Sequence, residues 1–540
     1  MKRTVCWRWW VGVAAFVLLL LPFLAGSSSA RYQEAPMLQE LVRQGKLPPV
    51  EQRLPKNPLV VEVTDSIGRY GGTVRLLHQS PDNFVSIYGW LAETMLRFNA
   101  RNTARSPEEI VAGGVGPNIF ESWQMSEDGR EFTFRLREGM RWSDGVPVTT
   151  EDVRFWYEDV LMNRELTPVI NRRLFLHGGE PMQLQVLDKY TFKVRFAKPY
   201  GAFPIWLTRI HSPNFLMPSH VMKQYHPRYT PEQELNRKVR EAGFEAWHQL
   251  FWANEFSGPW NARTPPHFPT LQPWLIVDRP APGVIVLERN PYYWKVDPQG
   301  NQLPYIDRLR VELVNNPEIV NVKIISGEVD YAGPHDVSIA NYPLYRQYEQ
   351  AGNYRVRLWP GVMTDNYIIL PNNTHADPVM RQILGDRRFR QALSLAIDRE
   401  EINELLFFGL GRPSQANVVP WSRYYEERFS RAYAEYDPQR ANQLLDQMGL
   451  NRRDAEGFRL RPDGQRLRLT IAHAGPRVGM AVNEFADLIV EYWREIGIDA
   501  NQEQMEESIW WQRLQANQLD VWIWHMDRVT DLLFPIDPSW

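Results

Sequence analysis

Aromatic side chains have the clearest capacity for ligand chemistry in this chain, because 21 of its 540 residues are tryptophan. An indole ring offers a flat face on which a sugar ring or a bulky side chain can stack, although core packing uses tryptophan in the same way. The sequence predicts loops and strand ends that would present such rings to a ligand. The candidate binding residues there are Tyr88, Trp90, Trp421, Trp510, Trp511, Trp522, Trp524, His525 and Asp527.

The last of these groups follows the alternation of a β-strand, which places Trp522 and Trp524 on one face, where they could present two parallel rings. His525 and Asp527 come directly after them. Two potential ligands at this spacing are more typical of the polar end of a strand than of a metal site. We therefore expect neither a metal nor a cofactor here.

The short motifs that mark common active sites are missing from the sequence. There is no G-x-x-x-x-G-K-[ST] phosphate loop, no G-x-S-x-G nucleophile turn, no H-E-x-x-H and no C-x-x-C. Carboxylates and histidines are scattered along the chain without grouping. These features favour a binding protein over an enzyme. A secreted hydrolase, with acidic residues beside a tryptophan-rich cleft, is the alternative.

The elements that must position these residues are clearest between Trp123 and Asp152. This segment predicts a turn, a strand, a second turn and a capped helix. Residues 131–137 alternate between apolar and polar side chains, as in a half-buried strand. Thr149 and Asp152 have the spacing of a capping box, which opens a helix.

The same segment resembles the signature region of the extracellular solute-binding proteins of family 5, the receptor subunits of ABC importers for peptides and nickel. In that family a tryptophan, a Ser-x-Asp-Gly turn, a Phe-x-Leu-Arg strand, a Trp-Ser-Asp-Gly-x-Pro turn and a Thr-x-x-Asp-Val helix start follow in this order. The matching residues here are Trp123, Ser126–Gly129, Phe134–Arg137, Trp142–Pro147 and Thr149–Val153.

The resemblance runs from Tyr70 to about Asp527, and further blocks at 290–294, 388–399 and 437–450 are similar to the family. It implies an α/β fold of the periplasmic-binding-protein type II kind, with two large lobes, an extra subdomain and a ligand cleft between the lobes. We expect these segments: an extended leader over 31–69, lobe I over 70–360 with a subdomain inserted at about 96–183, lobe II over 361–527, and at 528–540 the start of a return to lobe I that stops early.

The first 30 residues have the features of an export signal. Lys2 and Arg3 precede an apolar run over 11–24, and small residues follow at 28–30. The run is short for a membrane span, so we expect a cleaved signal, with an uncleaved anchor as the alternative. The only cysteine, Cys6, would be lost on cleavage, which excludes disulfides and thiol chemistry from the mature chain. The net charge of −3 gives no reason to expect nucleic acid as a partner.

The ligand class stays open between peptide and oligosaccharide. Peptide-binding members of the family usually hold the ligand's α-amino group with an aspartate just before the last amphipathic helix. The corresponding segment here, 474–480, contains no acidic residue but does contain Arg477, which could meet a carboxylate. A buried ammonium without a counter-charge is unfavourable. Peptide is the family default, whereas the missing acid and the many tryptophans favour an oligosaccharide.

The resemblance implies an extracytoplasmic substrate-binding protein that captures an oligopeptide or an oligosaccharide between its lobes. It would deliver this ligand to the transmembrane subunits of an ABC permease, and we expect it to act as a monomer. A nickel-type receptor is disfavoured because the 11 histidines do not cluster in the sequence.

Overall fold

The computed structural model describes residues 32–79, 81, 84, 86–99, 114–172, 174–209, 215–256, 258, 261–333, 336–358, 365–474 and 481–526. The expected export signal, Arg477, Asp527 and the segment 528–540 lie outside these residues. Among the described helices, none combines the length and apolar character that a membrane crossing requires.

The strands are β1 Leu59–Val60, β2 Thr73–His78, β3 Leu96–Phe98, β4 Val115–Pro117, β5 Phe120–Met125, β6 Glu131–Leu136, β7 Gln183–Val186, β8 Thr191–Arg195, β9 Trp274–Ala281, β10 Val284–Arg289, β11 Lys295–Val296, β12 Arg308–Leu313, β13 Asp365–Pro371, β14 Arg468–His473, β15 Asp499–Gln504 and β16 Val521–Met526. The α-helices are α1 Pro36–Arg43, α2 Val50–Arg53, α3 Tyr88–Leu91, α4 Thr150–Phe155, α5 Phe203–Trp206, α6 Ser219–Met222, α7 Glu232–Glu241, α8 Trp247–Ala253, α9 Pro317–Ile325, α10 Tyr342–Gln347, α11 Pro378–Gly385, α12 Arg387–Leu395, α13 Arg399–Phe407, α14 Glu427–Arg431, α15 Pro438–Gln447, α16 Val482–Glu495 and α17 Glu507–Gln515. A π-helical turn, Trp156–Leu161, continues α4, and two 3-10 turns are Lys223–Tyr225 and Ile339–Asn341.

The first large sheet has the strand order β2-β12-β10-β9. Strands β2 and β12 run parallel, while β10 is antiparallel to both β12 and β9. Leu309 and Val311 of the central strand β12 are fully buried between apolar residues of its neighbours. The sequence also predicts strands over 72–78, 284–289 and 309–314, and the structure confirms all three within one residue at each end.

A second sheet, β5-β6-β8-β7, is antiparallel throughout. The strand predicted at 131–137 is confirmed, and Phe132, Phe134 and Leu136 are fully buried. Two alternating runs over 184–196 also predict a hairpin, which the structure confirms as β7 and β8. The aromatic core around this sheet also includes residues well beyond 183, such as Phe251 and Trp294.

The capping box that opens α4 is present as predicted. Thr149 accepts a hydrogen bond from the backbone N–H of Glu151, and the Asp152 carboxylate accepts one from the backbone N–H of Thr149 at 3.0 Å. The same carboxylate accepts two further bonds from Ser219, from its backbone N–H at 3.1 Å and its hydroxyl at 2.7 Å. Asp152 therefore joins the start of α4 to α6.

The third large sheet has the order β13-β16-β14-β15, with β14 parallel to both β15 and β16. Helices α12 and α16 cover one face, where Leu393 and Trp493 belong to the same buried cluster as Ile471 of β14. The spacing of Phe389, Ala392 and Leu393 predicts one apolar helix face, and these residues are buried in α12. Asp437 before Pro438 predicts a helix cap, and the Asp437 side chain caps α15. Helix α17 packs against the opposite face of the sheet.

The leader that the sequence predicts to be extended over 31–69 instead contains α1 and α2. Pro36 occupies the first turn of α1, where its missing N–H has no helical partner to lose. Val50 and Leu54 pack on Val296 of β11. These tertiary contacts stabilise α2, which is a single helical turn and too short to be stable on its own.

Candidate ligand-binding site

In the first and third large sheets, parallel strands bring their carboxyl ends together at one edge, where open α/β folds bind ligands. In the first sheet this edge is formed by His78 of β2 and Leu313 of β12. In the third sheet it is formed by the ends of β14, β15 and β16 at His473, Gln504 and Met526. The segments that leave these two edges are the candidate site.

Tyr88 and Trp90 lie on the segment that follows β2, where the predicted loop instead forms the short helix α3. The half-buried Trp90 ring contacts Tyr331 edge-on, with 5.5 Å between the centroids, and contacts Trp274 at 6.1 Å. Sequence reasoning did not identify Tyr331, because it lies in a loop far along the chain. Its side chain is 41% exposed, so this aromatic group can be reached from solvent.

A buried ion pair holds the segment that carries Trp90. The Glu93 carboxylate accepts hydrogen bonds from Lys295 Nζ at 2.8 Å and from Asn118 Nδ2 at 3.0 Å, and it also accepts from the Tyr293 hydroxyl. Burial lowers the pKa of Lys295, while the nearby Glu93 opposes that shift. The pair fixes the end of α3 against β11.

The other edge carries four aromatic rings, Trp510, Trp511, Trp524 and His525, which we call the third-sheet aromatic cluster. Trp510 and Trp524 stack at 4.7 Å, while Trp511 meets them edge-on at 4.9 and 5.3 Å. The His525 ring lies 4.9 Å from Trp524. Trp522 shares this face of β16, as predicted, but the ring that lies parallel to Trp524 is that of Trp510 from α17.

Burial divides these rings into two groups. Trp510 and Trp524 are 0% and 7% exposed, so they act chiefly as core, whereas Trp511 and Trp522 are half-buried. The indole N–H groups of Trp510 and Trp522 are buried without an acceptor in the described part of the chain. Trp511 and Trp522 therefore retain exposed surface that a ligand could contact.

One described candidate, Trp421, belongs to neither aromatic group. Trp421 lies half-buried in the loop between α13 and α14, and the contacts of the described residues do not place it in either aromatic group. Arg477 and Asp527 lie outside the described residues.

A cavity of about 860 Å³ lies beside the third sheet, and none of the predicted residues lines it. Tyr367 of β13 stacks on Phe485 at 4.3 Å in its wall, and burial raises the pKa of Tyr367 well above its usual value. Its polar groups bond one another, since Arg399 and Gln415 both donate to the Ser394 hydroxyl. Its lining also includes Ile339, Leu358, Arg390 and Phe407. Sequence reasoning missed this cavity because its lining comes from distant segments.

Metal ligands do not group in the described ranges, where no set of three or more His, Cys, Asp or Glu side chains could hold an ion together.

Comparison with known proteins assigns the chain to a family. Residues 114–531 match the family described as bacterial extracellular solute-binding proteins, family 5 Middle. The chain therefore belongs to the family 5 extracellular solute-binding proteins, and the fold is that of periplasmic binding proteins of this type.

Three relatives illustrate the likeness. The periplasmic alpha-galactoside-binding protein of Rhizobium meliloti is 30% identical over 453 residues, which cover 79% of this chain and 61% of the relative. A solved structure of an oligopeptide-binding protein OppA is 39% identical, with a TM-score of 0.66, covering 93% of this chain and 76% of that one. The periplasmic binding protein MelB from Agrobacterium fabrum, solved with stachyose, is 24% identical with a TM-score of 0.70, covering 92% and 74%.

The chain thus spans about three fifths of the length of the curated alpha-galactoside-binding relative. These three relatives are named as binding proteins, which gives no support to the hydrolase alternative.

Proposed function

We propose that this protein is the extracytoplasmic substrate-binding protein of an ABC importer, which captures an oligosaccharide or an oligopeptide and delivers it to the permease. The observation that carries the proposal is the placing of aromatic side chains at the carboxyl edges of two separate sheets. Trp90 and Tyr331 follow the first edge, and the third-sheet aromatic cluster follows the other. Closure of two lobes on a ligand would bury both aromatic groups.

The domain boundaries predicted from sequence form part of this proposal. Lobe I would extend over 70–360 around the first large sheet, with the aromatic subdomain inserted, and lobe II over 361–527 around the third. The first 30 residues would act as the export signal that brings the chain to the periplasm. The mature protein would act there as a monomer, because one molecule supplies both walls of the cleft.

The ligand would contact the half-buried rings rather than the buried ones. Trp90, Trp511 and Trp522 would stack on it, while Trp510 and Trp524 would hold those rings in place. The remaining predicted residues would border the cleft: Tyr88, Trp421, Arg477, His525 and Asp527.

Two ligand classes are supported by different relatives. The relative at 30% identity is named for alpha-galactosides, whereas the solved structure at 39% identity is named for oligopeptides. Segment 474–480 offers no acid for a peptide's α-amino group. We therefore propose that both classes be tested directly against one another.

Isothermal titration calorimetry of the full chain with neutral galactosides and with peptides of two to five residues tests the proposal. We expect one class to bind with one-to-one stoichiometry and to quench tryptophan fluorescence, without release of hydrolysis products. Trp252, which is 43% exposed and distant in sequence from both edges, provides the control Trp252→Phe, which should bind normally. Absence of binding by either class to the folded chain would contradict the proposal, and steady product release would favour a hydrolase.

A further inference from the structure

A second cavity opens at the carboxyl edge of the third sheet. Its volume is about 720 Å³, and its wall includes Met526, the last residue of β16. Tyr424 and Phe429 also line it, and each of these side chains is 46% exposed. A ligand that meets the end of β16 can therefore extend into this cavity.

Two arginines, one turn apart on α12, line the same cavity. Arg390 Nη1 donates to the carbonyl oxygens of Leu384 at 2.9 Å and Gly385 at 2.8 Å, and to Asn373 Oδ1 at 3.3 Å. Its Nε and Nη2 donate to none of the described residues, and the exposed Arg387 makes no hydrogen bond or ion pair with them either. Both guanidinium groups therefore keep N–H donors for a ligand.

The positive charge of these two side chains is not balanced within the cavity. Among the described residues that line it, none is an aspartate or a glutamate. Asp386 lies close enough to feel the charge of Arg390, but its ion pair, at 2.7 Å, is with Arg388. Glu427 pairs with Arg412 at 2.7 Å. The lining is therefore cationic, which favours an anionic group of a ligand.

The chemistry of the lining narrows the class of anion. A guanidinium group binds a carboxylate through two parallel hydrogen bonds. The half-buried Gln391 lies in the same wall, and its amide makes no bond to the described residues, so it can donate to and accept from hydroxyl groups. The partly exposed Tyr424 ring suits the apolar C–H face of a sugar. A carboxylate next to several hydroxyl groups is the pattern of a uronic acid.

We propose that Arg387 and Arg390 are specificity-determining residues that bind the carboxylate of a uronic acid within an acidic oligosaccharide. This inference rests on the proposed function and narrows the captured ligand to a sugar polymer with negative charge. A peptide would bring an ammonium group as well as a carboxylate, and the described lining of this cavity has no counter-charge for it.

Calorimetry with trigalacturonate and with galactotriose of the same linkage tests the inference, because the acidic sugar has a carboxylate where the neutral one has a hydroxymethyl group. Arg387 is the residue to change, since Arg390 also bonds the end of α11. We expect Arg387→Gln to weaken trigalacturonate binding roughly tenfold, and Arg387→Glu to weaken it further, because a charge-assisted hydrogen bond is lost and then replaced by repulsion. Galactotriose binding should stay as it is in the wild type.

Two further measurements separate recognition of charge from a structural effect. Raising the salt concentration from about 50 mM to about 500 mM should weaken trigalacturonate binding to the wild type more than to Arg387→Gln, because salt screens the attraction. The matched control is Arg381→Gln, which removes an exposed arginine of α11 that does not line the cavity and should bind as the wild type does. Thermal melts establish that each variant is folded.

Three results would overturn the inference. If galactotriose binds as tightly as trigalacturonate, or if folded Arg387→Gln binds trigalacturonate as the wild type does, the arginines select no carboxylate, but the proposed function stands. If tetraalanine binds, its C-terminal amide does not, and Arg387→Gln loses tetraalanine, the arginines meet a peptide carboxylate instead. If the wild type binds none of these probes nor any member of the wider ligand panel, the proposed function fails together with the inference.

Discussion

The indole rings of Trp510 and Trp524 lie parallel, with 4.7 Å between their centroids and 9° between their planes. This stack joins α17 to β16, and Trp510 is fully buried within it. We expect Trp510→Ala to lower the free energy of unfolding by about 3–5 kcal/mol, because it removes a large buried side chain and leaves a cavity. Urea titration followed by circular dichroism measures this change.

The neighbouring Trp511 provides the contrast. Trp511 is half-buried and meets both rings edge-on, so Trp511→Ala should lower the free energy of unfolding by only roughly 1–2 kcal/mol. Because its exposed surface can contact a ligand, Trp511→Ala should reduce ligand affinity more than Trp510→Phe does. Equal losses of stability in Trp510→Ala and Trp511→Ala would show that burial does not separate their roles.

The ion pair of Glu93 and Lys295 is the second target. Both side chains are mostly buried, at 9% and 13% exposure, so removal of one partner leaves a buried charge. We expect Lys295→Met to destabilise the fold by about 3–5 kcal/mol, and the double variant with Glu93→Leu to recover part of that loss. Thermal unfolding of the two single variants and the double variant measures the interaction energy between Glu93 and Lys295. If the losses of stability in the single variants simply add up in the double variant, the two side chains do not interact and the prediction is wrong.

The capping box of α4 gives a graded series. Thr149→Ala should cost about 1 kcal/mol, because one helix N–H loses its acceptor. Asp152→Ala should cost more, roughly 2–4 kcal/mol, because its carboxylate also accepts two bonds from Ser219. The exposed Glu151, changed to alanine, is the control and should cost less than about 1 kcal/mol. Denaturant midpoints rank the three variants, and a reversed order of Thr149 and Asp152 would refute this account.

Asp336 gives a prediction about pH. Its pKa is raised from 3.8 to about 6 in the folded protein, so between these values the folded state holds a proton that the unfolded chain has released. The contribution of Asp336 to stability is therefore greatest at low pH and is lost as pH rises to about 6. Asparagine does not titrate, so the free energy of unfolding of Asp336→Asn loses nothing through this group as the pH rises. The difference in unfolding free energy between Asp336→Asn and the wild type should therefore rise by on the order of 2 kcal/mol from pH 4 to pH 7.5, in favour of the variant.

Paired melts of wild type and Asp336→Asn at the two pH values measure this gain, since the other titrating groups cancel in the difference. A difference that is the same at both pH values would mean that Asp336 has an ordinary pKa.

Sequence patterns correctly predicted those strands and helix starts that are specified by residues close together in the chain. The alternation over 131–137 and the Thr149 to Asp152 spacing each specify a structure within a few residues, and both are confirmed. The shared face of Trp522 and Trp524 follows from the same alternation. Helix α1 was missed because the prolines of the leader favour extended chain, whereas Pro36 stands in the first turn of a helix, where proline is tolerated.

The details of the site depend on contacts between distant segments. Nothing in the residues around Asp336 indicates that its carboxyl is buried, because Ser86 reaches it from the loop after β2. The stacking of Trp510 on Trp524 likewise depends on how α17 packs on the sheet. Sequence patterns could therefore indicate which segments carry the site, but they could not separate core rings from rings that face a ligand.

The strand order has a consequence for biosynthesis. Strand β2 finds its neighbour only when β12 has been made, and β16, the last described strand, inserts between β13 and β14. During synthesis, therefore, the first sheet cannot be completed before β12 has been made, and the third sheet cannot be completed before β16 has been made. Each pairing joins residues that are far apart in the chain. The order of strands therefore postpones the completion of both sheets until these late segments have been synthesised.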